Sequence, residues 1–240
     1  MTTARELYER WAGEPERDPR LSESLNPRGT EWLFELFGSL GPNPGEFLLD
    51  VGARNGKHFR RLVEAHGLRG LALDPVPAGP DVIEGIIEAL PVEDASVDWI
   101  WARDMLVHVD LERGFSECAR VLKPGGRMIA YVTLATNLLE PRERAWLSEA
   151  VALVNLDADE LEAAASTLGL EQKVELGSEW RERMIEDGEW DANDTLLRIA
   201  RMRRLGIDNP VDGADLVWGI YQLLGKLCPT VYVWSKTSSD

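Results

Sequence analysis

The sequence predicts an α/β fold whose centre is a mainly parallel sheet of seven strands with helices on both faces, preceded by N-terminal helices and followed by a helical insertion that forms a lid. Three observations predict it. Phe47, Leu48, Leu49 and Val51 make a short apolar run of the kind a buried parallel strand needs, and it leads into a glycine turn at Gly52 to Gly56. Beyond Gly56, the residues Phe59, Leu62 and Val63 recur at helical spacing, and Gly67 suits the left-handed closing position. Four more short strands then alternate with helices as far as Leu134. That order closes as a parallel sheet with right-handed crossovers and puts ligands outside the strands' carboxyl ends.

The 240 residues, 44% of them hydrophobic, suffice for one large domain. Within it we expect an N-terminal helical cap at 1–40, a cofactor-binding core at 41–135, and at 136–240 the rest of the core with its helical lid. Lys and Arg number 26 against 42 Asp and Glu, a net charge of −16 that disfavours DNA, RNA or an anionic membrane as partner. No N-terminal stretch joins a positive region to an apolar core, and no window holds about eighteen uninterrupted apolar residues, so a soluble cytoplasmic protein is expected. Cys118 and Cys228 stand apart in apolar periodic stretches and read as core residues. With three scattered histidines they give no metal-ligand spacing, and no metal is expected.

Within Ala4 to Ala12, Leu7, Tyr8 and Trp11 share a helical face, and a polar, proline-broken connection from Gly13 to Gly29 follows. A second helix, Thr30 to Leu40, buries Trp32, Leu33, Leu36, Phe37 and Leu40, with Thr30 as N-cap. These helices either cover one sheet face or hang Tyr8 and Trp11 over a pocket. Gly41 to Gly45 is a turn before the first strand. Gly52 and Gly56 let a ligand approach closely, and the helix N-terminus beyond offers amide donors to an anionic or carboxylate-bearing group. A tight strand-to-helix turn also needs glycine for steric reasons alone.

The second strand, Leu68 to Leu73, ends on Asp74 and Pro75, about twenty residues beyond the turn, where nucleotide-binding α/β folds place the carboxylate that holds a ribose. Val82 and Ile83 open a third strand, followed by Gly85, Ile86, Ile87, Glu88 and Ala89. Val97 to Ala102 is the fourth and runs out into Arg103, Asp104 and His108. A helix from Leu111 to Leu122 turns Leu111, Phe115, Cys118 and Leu122 inward and is stopped by Lys123-Pro124-Gly125-Gly126; Met128 to Leu134 is the fifth strand.

Arg142 to Val154 is a helix carrying Trp146, Leu147, Val151 and Val154, and another runs from Asp157, its N-cap, to Leu168. Leu170 to Leu176 is a strand, Glu179 to Leu205 is charged and helical with a break at Gly188 to Asn193, Ala214 to Leu227 is an apolar helix, and Thr230 to Trp234 is the last strand. The two late strands suit an antiparallel pair at one sheet edge. Trp146, Trp180, Trp190 and Trp218 serve either the core or an aromatic or cationic substrate by stacking. The basic run Arg198 to Arg204, and Arg181 with Arg183, are either solvated helix faces or docking points for an acidic carrier, a second subunit or an anionic substrate group.

Taken together, DVGARNG at Asp50 to Gly56, LALDP at Leu71 to Pro75, EALPVEDASVDWI at Glu88 to Ile100 and LKPGGRM at Leu122 to Met128 resemble the class I S-adenosylmethionine-dependent methyltransferases, in order and at normal spacing from Phe47 to Leu134. The resemblance implies that family's Rossmann-like fold and S-adenosylmethionine as cofactor. It implies that Asp50 with Gly52, Arg54, Asn55 and Gly56 holds the methionine end and that Asp74 with Pro75 holds the ribose. Adenine would lie against Ile86, Ile87, Glu88 and Ala89, and Arg103, a further cofactor contact, would lie with Asp104 and His108 at the mouth of the fourth strand beside the transferable methyl. His58, near the glycine turn, is expected to contact the cofactor's carboxylate end or solvent. The last hundred residues resemble the substrate-shaping region of bacterial small-molecule methyltransferases. Substrate contacts are expected at Tyr8 and Trp11 in the N-terminal cap and at Trp146, Trp180 and Arg181 in the lid. One position departs: where the family's turn has its middle glycine, this chain has Arg54, whose guanidinium either pairs with the methionyl carboxylate or fills the space the cofactor needs.

Methyl transfer from a positive sulfur asks the enzyme to position a nucleophile and remove its proton. His108 is the candidate base, six residues past the fourth strand, unless it only braces the cofactor or the next helix. Asp104 is the second candidate, with helix capping as its plain role. His66, just before Gly67, suits the helix dipole. The expected function is O- or N-methylation of a small molecule in bacterial secondary metabolism. The alternatives are a non-methylating reaction on the same scaffold, such as cyclisation or elimination, and a non-catalytic partner protein. The place after the fourth strand reads ARDM, without the Asn-Pro-Pro-Tyr type of sequence that amino-methylating enzymes of nucleic acids use.

Overall fold

The structure, a computed structural model, describes residues 29–176, 221–222 and 224–237. Its centre is a seven-stranded sheet of β1 (Phe47–Val51), β2 (Arg69–Asp74), β3 (Val82–Glu84), β4 (Val97–Arg103), β5 (Leu122–Ala135), β6 (Gly169–Glu175) and β7 (Leu227–Ser235). The spatial order is β3-β2-β1-β4-β5-β7-β6. The first five strands run parallel, and β7 lies antiparallel between β5 and β6. The expected α/β architecture, and the antiparallel pair at one edge, are both present.

Two apolar layers cover the sheet. On one face, α1 (Gly29–Ser39) and α2 (Lys57–His66) accompany a core of Phe34, Phe37, Leu48, Leu62, Trp99, Trp101, Ile129 and Val233. On the other, α3 (Leu111–Val121), α4 (Pro141–Val151) and α5 (Ala158–Ala164) accompany Leu49, Val51, Leu73, Ile100, Ala102, Phe115, Leu147 and Trp234. Alternation along β4 decides which residue serves which layer: Trp99 and Trp101 face α1 and α2, Ile100 and Ala102 face α3. Gly67 closes α2 as expected, at φ 65°, its amide donating to Val63 O.

Several boundaries differ from the sequence reading. Helix α1 begins at Gly29, so Thr30 lies inside its first turn rather than capping it, and Phe34 is buried while Trp32, Leu36 and Leu40 are only half-buried. Strand β5 starts at Leu122, directly after α3: Leu122 pairs with Val97, the register shifts, and pairing resumes at Arg127 with Trp99. The Lys-Pro-Gly-Gly stretch is therefore an irregularity within a strand. A Cβ on Gly126 would lie 3.0 Å from the Val97 and Lys123 carbonyls, which is why glycine stands there. Helix α4 ends at Val151, with Ala152 left-handed at φ 51°, so Val154 lies beyond the helix and is exposed. Trp146 is 40% exposed, and Leu147 alone of the two fills the core. Asp157 precedes α5 without a side-chain capping bond, because Arg144 grips its carboxylate with two bonds of 2.8 Å. The last helix ends before Gly225, and β7 begins at Leu227. Cys118 is fully buried and burial pushes its thiol up to about 12; Cys228 is half-buried. The segments at 4–12, 179–205 and most of 214–222 lie outside the described residues, as do Tyr8, Trp11, Trp180, Arg181, Arg183, Trp190, Trp218 and Arg198 to Arg204. Among the described residues, no helix is long and apolar enough to cross a membrane.

Candidate functional site

The turn after β1 is held by its neighbours. Gly52 at φ 77° and Ala53 both donate to Leu73 O, at 2.9 and 3.0 Å. A Cβ on Gly52 would lie 2.9 Å from Met105 Cβ, so the turn passes that side chain only as glycine. Arg54, the departure from the glycine pattern, keeps the left-handed conformation a glycine would adopt, at φ 49°. The amide of Arg54 donates to Asp74 Oδ2 and that of Val76 to Asp74 Oδ1, each at 2.8 Å. The loop after β2 folds back onto the turn, with Ala78 N donating to Arg54 O at 2.9 Å.

Two carboxyls stand under this corner. Asp50 is 2% exposed, and its Oδ2 has no hydrogen-bond partner among the described residues. Burial first, and the charge of Asp74 second, push Asp50 up to about 8 against one bond from the Phe59 amide. Burial also raises Asp74, opposed by the two amides it accepts.

One residue beyond Asp50 a cavity of about 300 Å³ opens. Val51 and Gly52 line it from β1, Leu73 and Pro75 from β2, and Gly85 to Glu88 after β3; Met105, His108, Val109, Asp110 and Arg113 close the far side. Its lining is mostly apolar. Ile86 is 45% exposed, whereas Ile87 is buried against Gly114. Glu88 Oε1 accepts the Asp110 amide at 3.0 Å, and Asp110 caps α3 by accepting from Arg113 N at 3.1 Å.

His108 ends a short 3-10 helix, Leu106–His108. Its Nδ1 lies 3.1 Å from Ala152 O, and since a carbonyl only accepts, Nδ1 carries the proton and Nε2 is the basic nitrogen. Burial lowers its pKa, so the ring is neutral. Asn155 clasps the same turn, its side-chain amide donating to Leu106 O at 2.8 Å and Val109 O at 2.6 Å. Nothing in the sequence reading singled out Asn155; it lies in a connection between helices, and only the folded chain shows what it holds.

Arg103 and His58 lie on the α1 and α2 face instead. Arg103 Nη1 is 3.3 Å from His58 Nε2, its Nε is 3.7 Å from Asp104 Oδ2, and its guanidinium lies 5.7 Å from the Tyr131 ring centroid. Asp104, at φ 54°, is exposed and does not cap a helix. Of the expected site residues, then, Gly52, Pro75, Ile87, Glu88 and His108 converge on the cavity. Asp50, Arg54, Asn55, Gly56 and Asp74 do not line it but belong to the strand ends and the turn that supply Val51, Gly52, Leu73 and Pro75, and Ala89 closes the turn beside it through its amide to Ile86 O. His58, Arg103 and Asp104 form a separate group. Among the described residues no set of three or more His, Cys, Asp or Glu is arranged as metal ligands.

Residues 49–130 match the family described as methyltransferase domain. An uncharacterized methyltransferase of Mycobacterium tuberculosis (strain ATCC 25618 / H37Rv) is 34% identical over 146 residues, which cover 57% of this chain and 55% of the relative; the chain spans about half the length of the curated relatives it matches. A putative sarcosine dimethylglycine methyltransferase from Galdieria sulphuraria has a similar structure, with a TM-score of 0.65 and 23% identity over 89% of this chain and 86% of that one. The 4+2 cyclase SpnF superposes with a TM-score of 0.72 at 16% identity, over 99% and 97% of the two chains. At such identities these two likenesses show the fold alone. A parallel sheet of this order, with its acidic glycine turn inside the stretch matched as a methyltransferase domain, makes the chain similar over residues 49–130 to the class I S-adenosylmethionine-dependent methyltransferases.

Proposed function

We propose that the protein is an S-adenosylmethionine-dependent methyltransferase acting on a small molecule, at an oxygen or nitrogen acceptor, in the cytoplasm and within bacterial secondary metabolism. The observation that carries this reading is Asp50: a buried carboxyl with one unpartnered oxygen, one residue from a largely apolar cavity of about 300 Å³. A buried acceptor without a donor is unfavourable unless a ligand supplies one, and the ammonium of a bound amino acid group does so. Asp50 and the turn through Gly52, Arg54, Asn55 and Gly56 would hold the cofactor's methionine end. Asp74 spends two of its roughly four acceptor positions on backbone amides and keeps the others for ribose hydroxyls. Pro75 and Ile86 to Ala89 would flank the adenine.

The cofactor, when bound, supplies an electrophilic methyl on a cationic sulfur. This chain's part is to orient the acceptor and take its proton. Neutral His108, with Nε2 unprotonated at the cavity wall, is suited to that, and Asp104 is the second candidate. A homodimer or an acidic carrier protein is the partner that Arg198 to Arg204 would serve.

Titration calorimetry of the full chain with S-adenosylmethionine and S-adenosylhomocysteine tests the reading; micromolar binding is expected, and a folded protein that binds neither overturns it. A second reading, a non-methylating reaction such as cyclisation, gains support from Arg54 at the turn's middle position and from the likeness to a cyclase fold. Under it, cofactor binds but product forms without loss of methyl, which mass spectrometry of the cofactor pool after turnover detects.

A further inference from the structure

We propose that Glu117 and Arg120 are positioning residues for the cofactor, clamping to α3 the loop that carries the adenine wall of the cavity. The proposal rests on the methyltransferase reading for what that wall meets. The loop, residues 85–96, joins β3 to β4 without a helix or strand of its own, apart from the bridge of Ile86 with Ala89. Gly85, Ile86, Ile87 and Glu88 nevertheless form one side of the cavity. A segment with so little pairing of its own takes its place from its neighbours, and the neighbour here is α3.

The grip comes from one stripe of the helix, because Asp110, Gly114, Glu117 and Arg120 recur at spacings of three and four. At the cavity end, Asp110 N donates to Glu88 Oε1 at 3.0 Å, and Ile87 packs where a Cβ on Gly114 would come within 3.2 Å of it. Farther along, Glu117 Oε2 accepts Leu90 N at 2.8 Å. Arg120 then engages all five donors of its guanidinium. Nε donates to Glu117 Oε1 and Nη2 to Glu117 Oε2, each at 2.7 Å. Nη2 also reaches Leu90 O and Nη1 reaches Val92 O, each at 3.0 Å, and Nη1 meets Asp94 Oδ1 at 2.7 Å. Leu90 is thus held by both its amide and its carbonyl, two residues from Glu88 in the cavity wall. The bonds from Arg120 hold the Glu117 carboxyl below the usual range, so the clamp stays charged. Since every donor of Arg120 is engaged inside the protein, the pair acts on the loop and through it on the ligand.

Titration calorimetry of the full chain with S-adenosylhomocysteine and with adenosine, at a temperature well below unfolding, tests the role. Arg120→Gln should weaken both ligands by a similar factor of about tenfold, because the adenine they share meets the loop. Glu117→Ala should do likewise, and Glu117→Gln, which keeps an oxygen for Leu90 N, should lie between it and wild type. Asp50→Asn, at the methionine end, should weaken S-adenosylhomocysteine alone. Arg144→Gln breaks the ion pair with Asp157, away from the loop, and should lower Tm without changing either affinity, which shows what lost stability does by itself. Equal affinities in wild type and Arg120→Gln overturn the proposal. So does a loss confined to S-adenosylhomocysteine in Arg120→Gln, which would put the effect at the methionine end, and so does an equal loss in Arg144→Gln, which would make it a matter of stability. A wild type that takes S-adenosylhomocysteine but no adenosine overturns it too, since the wall would then contribute nothing of its own. If the wild type binds neither, the methyltransferase reading fails and the positioning role falls with it, whereas equal affinities in wild type and variant leave that reading standing.

Discussion

The backbone amide of Arg54 donates to the Asp74 carboxylate at 2.8 Å, so the carboxylate proposed to meet the ribose also holds the glycine turn to the end of β2. Asp74→Ala therefore removes two things at once. It orphans the amides of Arg54 and Val76, for a loss of about 1–3 kcal/mol, and it deletes the acceptor for ribose. Asp74→Asn keeps one oxygen acceptor and should lose less stability while binding S-adenosylhomocysteine clearly more weakly. Chemical denaturation and calorimetry on both variants separate the two roles; an alanine variant as stable as wild type would show that the turn does not depend on Asp74.

Arg54 adopts φ 49° at the place where the methyltransferases it resembles have glycine. A non-glycine residue in the left-handed region costs about 1 kcal/mol, so Arg54→Gly should stabilise the chain by up to that amount and raise Tm by about 2–4 °C. Cofactor affinity decides what the guanidinium does. Unchanged or tighter S-adenosylhomocysteine binding in the glycine variant makes Arg54 a tolerated bulk, and a loss of about tenfold makes it a partner of the methionyl carboxylate.

Asp50 is held up at about 8 by burial and by Asp74, against about 3.9 in an unfolded chain. Between those values the folded state keeps a proton that the unfolded state releases, so this group lowers stability as pH rises from about 4 to about 8 and has no further effect above it. Asp50→Asn, which cannot ionise, should flatten that slope: its Tm gains on wild type as pH approaches 8 and matches it near pH 4. A cationic ligand bound at Asp50 favours the ionised form, so cofactor binding at pH 7 should release a proton. Calorimetry in buffers of differing ionisation enthalpy measures that release; none would mean that the cation does not reach Asp50.

The first five strands were legible because each is a short apolar run bounded by turn chemistry, and periodicity carries that information within a few residues. Asp50, Gly52 and Asp74 were legible for the same reason, as residues at strand ends. Facing was harder. The sequence put Arg103, Asp104 and His108 in one group, but alternation carries Arg103 to the α2 face, while the chain's turn at Met105 sends His108 to the cavity on the other. Asn155 was invisible, since its hydrogen bonds reach across 46 and 49 positions and no local pattern encodes them. Leu122 as the start of β5 was missed because pairing with Val97 overrode the stop signal of Pro124 and the glycines.

Asn155 supplies the last test, because it holds the turn that aims His108 without itself lining the cavity. Asn155→Ala leaves the Leu106 and Val109 carbonyls without their donor, a loss of about 1–3 kcal/mol, and lets water reach the 3-10 turn. Burial is what lowers the pKa of His108, so in wild type the base form persists to lower pH and the acid limb of kcat/KM falls below about 6.5, the ordinary histidine value. Losing that burial should move the limb of Asn155→Ala upward toward the ordinary value while kcat drops. His108→Asn should remove the limb altogether. An Asn155→Ala enzyme that is merely less stable, with the wild-type limb intact, would mean that His108 is held by Ala152 alone or is not the base.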